Sequence, residues 1–418
     1  MREYKLHFNY KDIFLAPRLA LSPKKIWVLI IGNLSGFIVY WITSYISLIL
    51  SGVEINDAIA DYGLYPFLFG SSAPIISWII YYSGILIWLS FILASCAGVS
   101  RLTLKQLQGD NFYSANDAID YVVKKWRSVL FAPFSIFLII LIFVLIACMF
   151  AWFGSIPIIG TLTYPLLYLF YFFGSIFTIF SFLALISSIL FSPAIIGSYE
   201  EDTIGTVFLS YQITFSQPLR LILYNILLFP IAIIFLNILS WFYTNSFNLI
   251  NQIFGFFMGE KLENMVGYAS SIVDISWISD NMSDININVE DNSFVLPSAA
   301  FDLFEIILGL LSTLFNQFLI SLPNFSFDIY AESLSTIDTI AGMLLSVPLI
   351  LLTLSVLSYG IAIISVGETI IFTIFKKIMD NENILLINNE SDVNDPINDE
   401  INDLDRSSHS ILSSSEEE

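Results

Sequence analysis

The sequence predicts an all-α fold: a polytopic bundle of six transmembrane helices, with amphipathic helices at the cytoplasmic interface and a mostly helical insertion on the opposite side. The composition supports this, because 56% of the 418 residues are hydrophobic and only 12% are charged, as in chains whose solvent is mostly lipid. Unpaired backbone amides are costly in lipid, so long apolar runs form helices rather than strands. Six charge-free runs each exceed the roughly 20 residues that a helix needs to cross about 30 Å of hydrocarbon. They cover residues 26–50, 75–99, 129–153, 164–198, 221–243 and 339–367.

The Lys and Arg residues predict the orientation of these spans. When the six runs are threaded through a bilayer, 15 of the 16 basic residues fall on one side and only Lys261 falls on the other. Basic residues favour the cytoplasmic side, so both termini are predicted to be cytoplasmic. The basic N-terminal segment, residues 1–25, is similar to the start of a secretory signal. The long apolar core behind it, with no small-x-small cleavage site after it, favours a retained membrane anchor.

Two cytoplasmic connections within the five-span region, residues 26–243, have the pattern of amphipathic helices. Residues 114–127 begin with Ser114, a suitable N-cap, and residues 203–215 can be capped by Thr203. We expect both helices to lie along the inner headgroup layer and to lead into the next span. Cations at such a place contribute about 1 kcal/mol each on anionic lipid. The first helix ends in four residues that are predicted to anchor it at the membrane interface: Lys124, Lys125, Trp126 and Arg127.

An acidic region, residues 244–338, is predicted to lie on the extracytoplasmic side. It contains 12 acidic residues and one basic residue, and its apolar spacing is mostly helical. Residues 301–322 are long enough to span, but a crossing there would change the distribution of basic residues from 15 against 1 to 12 against 4. We therefore expect this stretch to lie in the interface or to pack against the spans. It carries a narrow polar stripe: Asp302, Glu305, Gly309, Ser312 and Asn316.

The last span and its amphipathic extension, residues 339–379, are followed by an acidic tail, residues 380–418. The tail is rich in Asn and Ser and has no aromatic residue, so we predict a disordered, solvated cytoplasmic segment. A docking tail for a basic partner is the alternative. The net charge of −20 reflects acidic end segments rather than a binding groove, and we predict no nucleic-acid partner.

The six runs lack the residues that enzymatic chemistry in a membrane ordinarily uses. Cys96 and Cys148 lie inside apolar runs and are expected to pack as small apolar side chains, whereas His7 and His409 lie outside the runs. The sequence has no Walker A loop, no G-x-S-x-G elbow, no H-E-x-x-H and no C-x-x-C. We therefore predict no enzymatic activity, no cofactor and no metal site.

A few polar residues at or inside the runs are the candidate intramembrane site. Glu368 directly follows the last run, and its nearest basic neighbours, Lys376 and Lys377, come two helical turns later. A carboxylate at that depth can bind a proton or a cation, but at an interface it can also stay hydrated, which is what we expect. The other candidates can hydrogen-bond between helices, at about 0.6 kcal/mol each, and are expected to stabilise packing rather than bind substrate. They are Asn33, Asn225 and Asn237.

Four segments follow one another in a recognisable order. They are KKWRSVLFAP, the turn SIPIIG, then SPAIIGSYEEDTIGTVFLSYQITFSQPLRLILY, and finally SVGETIIFTIFKKIMDNEN. This pattern resembles a family of bacterial polytopic membrane proteins of uncharacterised function and covers much of residues 100–385. The resemblance implies a bacterial inner membrane and no particular activity. The matching residues are Tyr211, Pro218, Leu219, Arg220, Lys376, Lys377 and Asp380.

Three functions are compatible with these features. The first is a non-enzymatic membrane protein that organises membrane lipid, or protein partners through the acidic outer region or the tail. The second is a transporter or channel for a small solute, which requires a continuous polar cavity among the spans. The third is a membrane-embedded enzyme, which requires converging ionisable groups. We favour the first.

Overall fold

The computed structural model describes residues 6–68, 73–110, 112–273, 309, 313–314, 316–327 and 334–386. Within these residues the fold is all-α, as predicted. A 3-10 helix at Tyr10–Leu15 precedes the first α-helix, and another at Ile384–Leu386 follows the last. The α-helices are, in chain order, α1 (Ala16–Ala20), α2 (Pro23–Leu50), α3 (Ile55–Tyr62), α4 (Ile75–Gln108), α5 (Ala115–Gly154), α6 (Ile159–Tyr199), α7 (Thr203–Ser216), α8 (Pro218–Met258), α9 (Glu260–Val273) and α10 (Thr336–Met379).

Six helices in the described ranges are long and apolar enough to cross a membrane: α2, α4, α5, α6, α8 and α10. They coincide with the six charge-free runs, so the prediction of six candidate spans is confirmed. Most of them continue beyond the runs by several turns. The chain is an integral membrane protein.

Polar side chains set where several helices begin. The hydroxyl of Ser114 accepts a hydrogen bond from the backbone N–H of Asp117, whose carboxylate accepts one from the Ser114 N–H, which forms a capping box at the start of α5. From there α5 continues without interruption into the span, so the predicted interfacial helix at 114–127 is its first part rather than a separate element. Asp202, one residue before the predicted cap Thr203, caps α7 by accepting a hydrogen bond from the Gly205 N–H at 2.8 Å.

Helix α4 is the central helix of the bundle and packs against α2, α5, α6 and α10. Small residues allow close approach between these helices. A Cβ atom added to Gly197 of α6 would overlap the carbonyl oxygen of Ala97 in α4, and one added to Gly32 of α2 would overlap the side chain of Ser95. The close packing of α4 against α2 and α6 therefore depends on glycine residues in those two helices.

One end of the bundle, which we call the basic end, is where α2, α5 and α8 begin and where α4, α6 and α10 end. The main hydrophobic core lies there, and it includes the N-terminal segment, residues 6–20. Ile13 and Ala16 of this segment are fully buried. The hydroxyl of Tyr359 in α10 donates a hydrogen bond to the carbonyl oxygen of Pro17 at 3.2 Å. Residues of the N-terminal segment therefore pack against α10.

The distal parts of α5 and α6, residues 137–180, form a pair that we call the apolar hairpin. Among the residues of this pair whose burial is described, Gly160 alone is buried. Ring contacts such as Phe143 with Phe177, whose centroids are 4.7 Å apart, join the two helices. No charged residue occurs between Arg127 and Glu200. Exposed apolar surface of this extent is incompatible with water as the solvent and fits the interior of a bilayer.

Helix α7 turns its hydroxyl groups inward and its large apolar side chains outward. The hydroxyl of Tyr211 donates to that of Ser181 at 2.9 Å, and the hydroxyl of Thr214 donates to that of Ser187 at 2.8 Å, which ties α7 to α6. The outward side chains are more than half exposed: Ile204, Phe208 and Phe215. Such a helix is suited to a lipid environment on its outer face.

Much of the acidic region and of residues 301–322 lies outside the described residues. Within residues 301–322, positions 316–322 pack against α8 and α10. Asn237 of α8 donates a hydrogen bond to the Ser321 hydroxyl at 2.8 Å, and the ring of Phe318 lies where a Cβ of Gly360 would stand. These contacts place residues 316–322 beside α8 and α10, and the expectation that residues 301–322 do not cross the membrane stays a prediction.

The start of the predicted disordered tail is folded. The 3-10 helix after α10 buries Ile384 in the main core, because an ion pair between Lys376 and Asp380 and contacts of Glu382 bring the chain back onto α6. The prediction of a disordered segment from residue 380 is therefore wrong for its first residues. Residues 387–418 lie outside the described part of the chain.

Candidate functional site

Glu368 is enclosed inside the main core at the basic end. Its side chain is 2% exposed, and neither carboxylate oxygen has a hydrogen-bond partner among the described residues. The expectation of a hydrated carboxylate is therefore wrong, because α10 continues past the charge-free run as a fully buried helix. An uncompensated charge in such a place costs several kcal/mol or more, so a retained carboxylate indicates a specific role.

The surroundings of Glu368 follow from its place on α10. Ser365 donates a hydrogen bond to the carbonyl oxygen of Cys96 in α4 at 2.9 Å. Phe372 contacts the ring of Tyr199 in α6, with centroids 6.3 Å apart. Residues 365, 368 and 372 lie on one face of a helix. Glu368 therefore lies on the face of α10 that packs against α4 and α6.

A buried ion pair joins α4 to the end of α6. Arg101 is 3% exposed, and its Nη1 atom lies 2.5 Å from Oε1 of Glu200. The guanidinium group also lies over the ring of Tyr121 in α5, 5.0 Å from its centroid. Nε and Nη1 of Arg101 make no hydrogen bond of good geometry in the described structure, so the contact with Glu200 is primarily ionic. Three helices meet at this guanidinium group.

The carboxyl end of α6 receives a second cation. Nζ of Lys125 donates a hydrogen bond to the backbone carbonyl oxygen of Glu200 at 3.2 Å. Glu200 has a φ of 60°, the left-handed conformation that often ends a helix. Cations next to the last carbonyl groups of a helix are favourable because they interact with the negative end of its dipole. Arg101 and Lys125 thus fix the end of α6 from two sides.

A second ionic cluster joins α6 to the chain after α10. Nζ of Lys376 lies 2.9 Å from the carboxylate of Asp380, 3.5 Å from that of Glu382 and 4.2 Å from the ring centroid of Tyr199. The Tyr199 hydroxyl donates to Glu382 at 3.1 Å. On the other side of the core, Nζ of the buried Lys25 donates to the carbonyl oxygen of Leu19 at 3.0 Å and to Gln106 at 2.9 Å. Lys25 therefore contacts the end of α4, and Lys376 connects the end of α10 to the end of α6.

No family model, curated protein or solved structure matches this chain. The resemblance to a bacterial membrane-protein family consequently receives no support from these comparisons. Across the described ranges, no group of three His, Cys, Asp or Glu side chains is placed to hold a metal ion.

The four predicted interface anchors separate into two groups. Lys125 turns inward to the end of α6, so the structure removes it from the predicted anchor. Lys124, Trp126 and Arg127 are exposed, and the guanidinium group of Arg127 lies 5.7 Å from the Trp126 ring centroid. Their contact with lipid stays a prediction. The four residues differ in exposure because successive side chains on a helix point in different directions.

The three candidate asparagines also differ. Asn33 accepts a hydrogen bond from the Trp88 indole N–H at 2.8 Å, which links α2 to α4 as expected. Asn237 links α8 to Ser321. Asn225 donates only to the carbonyl oxygen of Leu221 in its own helix, and its Oδ1 has no partner in the described structure. The expectation of an interhelical bond is therefore wrong for Asn225 within the described residues.

Arg101 and Glu200, which form this ion pair, are not among the candidate site residues that the sequence predicts. The available signal was the position of Arg101. It follows the charge-free run 75–99 after a single residue, and the apolar residues Leu102 and Leu104 continue the pattern beyond it. A cation inside a continuing apolar helix indicates a buried partner.

Proposed function

We propose that this chain is a non-enzymatic protein of a bacterial inner membrane, with both termini in the cytoplasm, that organises membrane lipid or partner proteins. The observation that carries the proposal is the apolar hairpin. It offers an extended uncharged surface on two helices and contains almost no buried side chain. Such a surface serves lateral contacts in the membrane rather than a reaction.

The basic end complements that surface. Lys124 and Arg127 are exposed beside Trp126, close to the start of α5. Basic and aromatic side chains together favour the anionic headgroup layer of the cytoplasmic leaflet. We infer that the hairpin lies in the acyl region while these residues contact the headgroups.

A second candidate function is proton- or cation-coupled transport of a small solute. The observation that favours it is Glu368, a buried carboxylate without a partner among the described residues. Intramembrane carboxylates of this kind mark proton relays and ion pathways. It ranks second because Glu368 lines neither of two apolar grooves on the described residues, one beside Tyr10 and Leu223 and the other beside Trp27 and Leu239.

The proposed topology is tested by cysteine labelling. In a background without Cys96 and Cys148, we expect a reagent that cannot enter intact cells to modify a cysteine at position 283 and not at 114 or 413. This follows from the distribution of the basic residues. Labelling at 413 in intact cells would instead place a seventh crossing within residues 301–322.

The proposed function is tested in vesicles of neutral phosphatidylcholine with a minority of anionic phosphatidylglycerol. We expect the full-length protein to concentrate the anionic lipid around itself, and the double variant Lys124→Gln/Arg127→Gln to lose about 1 kcal/mol of this preference per charge. Lys261→Gln, which removes a cation at the opposite end, should keep it. Proton-driven solute flux that Glu368→Gln abolishes would reject this function in favour of transport.

A further inference from the structure

A groove of about 390 Å³ lies between the N-terminal 3-10 helix and the first turns of α8. Its walls are almost entirely apolar, with Tyr10 on one side and Leu223, Ile226 and Leu227 on the other. Leu223 and Ile226 are each more than 60% exposed, so the groove opens sideways to the surroundings of the bundle. Its base is fixed, because the ring of Tyr224 stacks on the buried Phe375 with centroids 5.8 Å apart.

Two exposed cations are close in sequence to residues that line this groove. Arg220 precedes Leu223 by three residues and Leu227 by seven, so it lies on the groove face of α8. Lys11 directly follows Tyr10 in the N-terminal 3-10 helix and is exposed. The neighbouring carboxylate of Asp12 is buried and accepts hydrogen bonds from the backbone N–H groups of His7 and Asn9. Asp12 is therefore directed away from the groove and engaged in its own turn.

The guanidinium group of Arg220 is available to an anion. Its Nη1 donates to Oε1 of Gln217 at 3.0 Å, which uses one of the five N–H groups that an Arg side chain carries. Arg binds phosphate through two parallel hydrogen bonds, whereas Lys acts as a point charge. A pair of such cations at the start of a transmembrane helix matches the depth of a phospholipid headgroup.

We propose that this groove binds one anionic phospholipid of the inner leaflet, with an acyl chain along Leu223, Ile226 and Leu227 and its phosphate held by Arg220 and Lys11. The inference rests on the proposed function, because it names the class of lipid and its site. The ligand is amphipathic because the groove has apolar walls and two exposed cations are close in sequence to the residues that line it. An anion without an acyl chain would leave the groove empty.

The test is native mass spectrometry of the full-length protein in detergent, titrated with dioleoyl phosphatidylglycerol. We expect one tightly bound lipid, an affinity about fivefold lower for Arg220→Gln and about thirtyfold lower for Arg220→Gln/Lys11→Gln. The matched control is Lys24→Gln/Lys377→Gln, which removes two cations from the same end without touching the groove and should bind as the parent does. Leu223→Trp, which fills the groove and keeps both cations, should also lose the tight site.

Three results would overturn the proposal. Equal losses in the control and in Arg220→Gln/Lys11→Gln would mean that general surface charge attracts the lipid. Equal binding of glycerol phosphate would mean that the groove contributes nothing. Equal binding of dioleoyl phosphatidylcholine would remove the role of the anion. Any of these can occur while the enrichment that depends on Lys124 and Arg127 persists, so failure of this site is distinguishable from failure of the proposed function.

Discussion

The variant Glu200→Gln is expected to destabilise the folded protein by about 3 kcal/mol, because it leaves the buried guanidinium group of Arg101 without its counter-charge. This lies at the low end of the range for broken buried pairs, since the Glu200 side chain is 23% exposed and its partner 3%. The measurement is the free energy of unfolding in mixed micelles, from a titration with a denaturing detergent. Because Gln and Glu have nearly the same size, the change in the free energy of unfolding measures the loss of the negative charge.

Two further variants separate the lost charge from other causes. Glu201→Gln removes an equal charge from the next residue and should stay within about 0.5 kcal/mol of the parent. The double variant Arg101→Met/Glu200→Gln should recover most of the lost stability, because it removes the unpaired cation together with its partner. A double variant as unstable as the single one would show that packing of the Arg101 side chain, rather than the ion pair, holds α4 to α6.

The substitution Gly197→Leu is expected to cost about 3 kcal/mol and to reduce the yield of monodisperse protein. A side chain at this position meets the backbone of α4 at Ala97 and Arg101, which cannot turn aside as a flexible side chain can. Overpacking of this kind forces the helices apart, and α4 is in contact with most of the bundle. Size-exclusion chromatography with thermal challenge, in the same detergent, measures the loss.

Gly174→Leu is the matched control, on the same helix. A Cβ atom at Gly174 meets nothing within 4 Å, so its side chain enters the surroundings of the apolar hairpin. We expect stability equal to the parent or slightly higher, since Leu has the greater helix propensity. If Gly174→Leu proves as damaging as Gly197→Leu, the hairpin has close neighbours in the membrane and the contact at Ala97 is not the cause.

The spans could be predicted from the sequence because the length and polarity of a segment are local properties. The Ser114 cap at the start of α5 is local in the same way, since a capping box involves only four consecutive residues. Asn33 could be predicted to link helices because an amide inside an apolar run requires a partner. Each of these predictions depends only on neighbouring residues in the sequence or on the solvent that surrounds the segment.

The candidate site could not be predicted because it depends on packing between distant segments. Glu368 is buried because α4 and α6 pack against the end of α10, and no periodicity within residues 339–379 predicts that. Lys125 and Lys124 are adjacent in sequence, yet one binds the end of α6 and the other stays exposed. Their difference comes from the rotation of α5 about its axis, which its neighbours fix.

Because the N-terminal segment packs against α10, this part of the fold can form only after α10 has been synthesised. A bond such as that from Tyr359 to Pro17 joins residues separated by 342 positions, so it cannot form until the ribosome has synthesised residue 359. Until α10 is inserted, the faces of α4 and α6 that enclose Glu368 have no helix beside them. The earlier helices can pair as they enter the membrane, whereas the core at the basic end closes only after α10 has been synthesised.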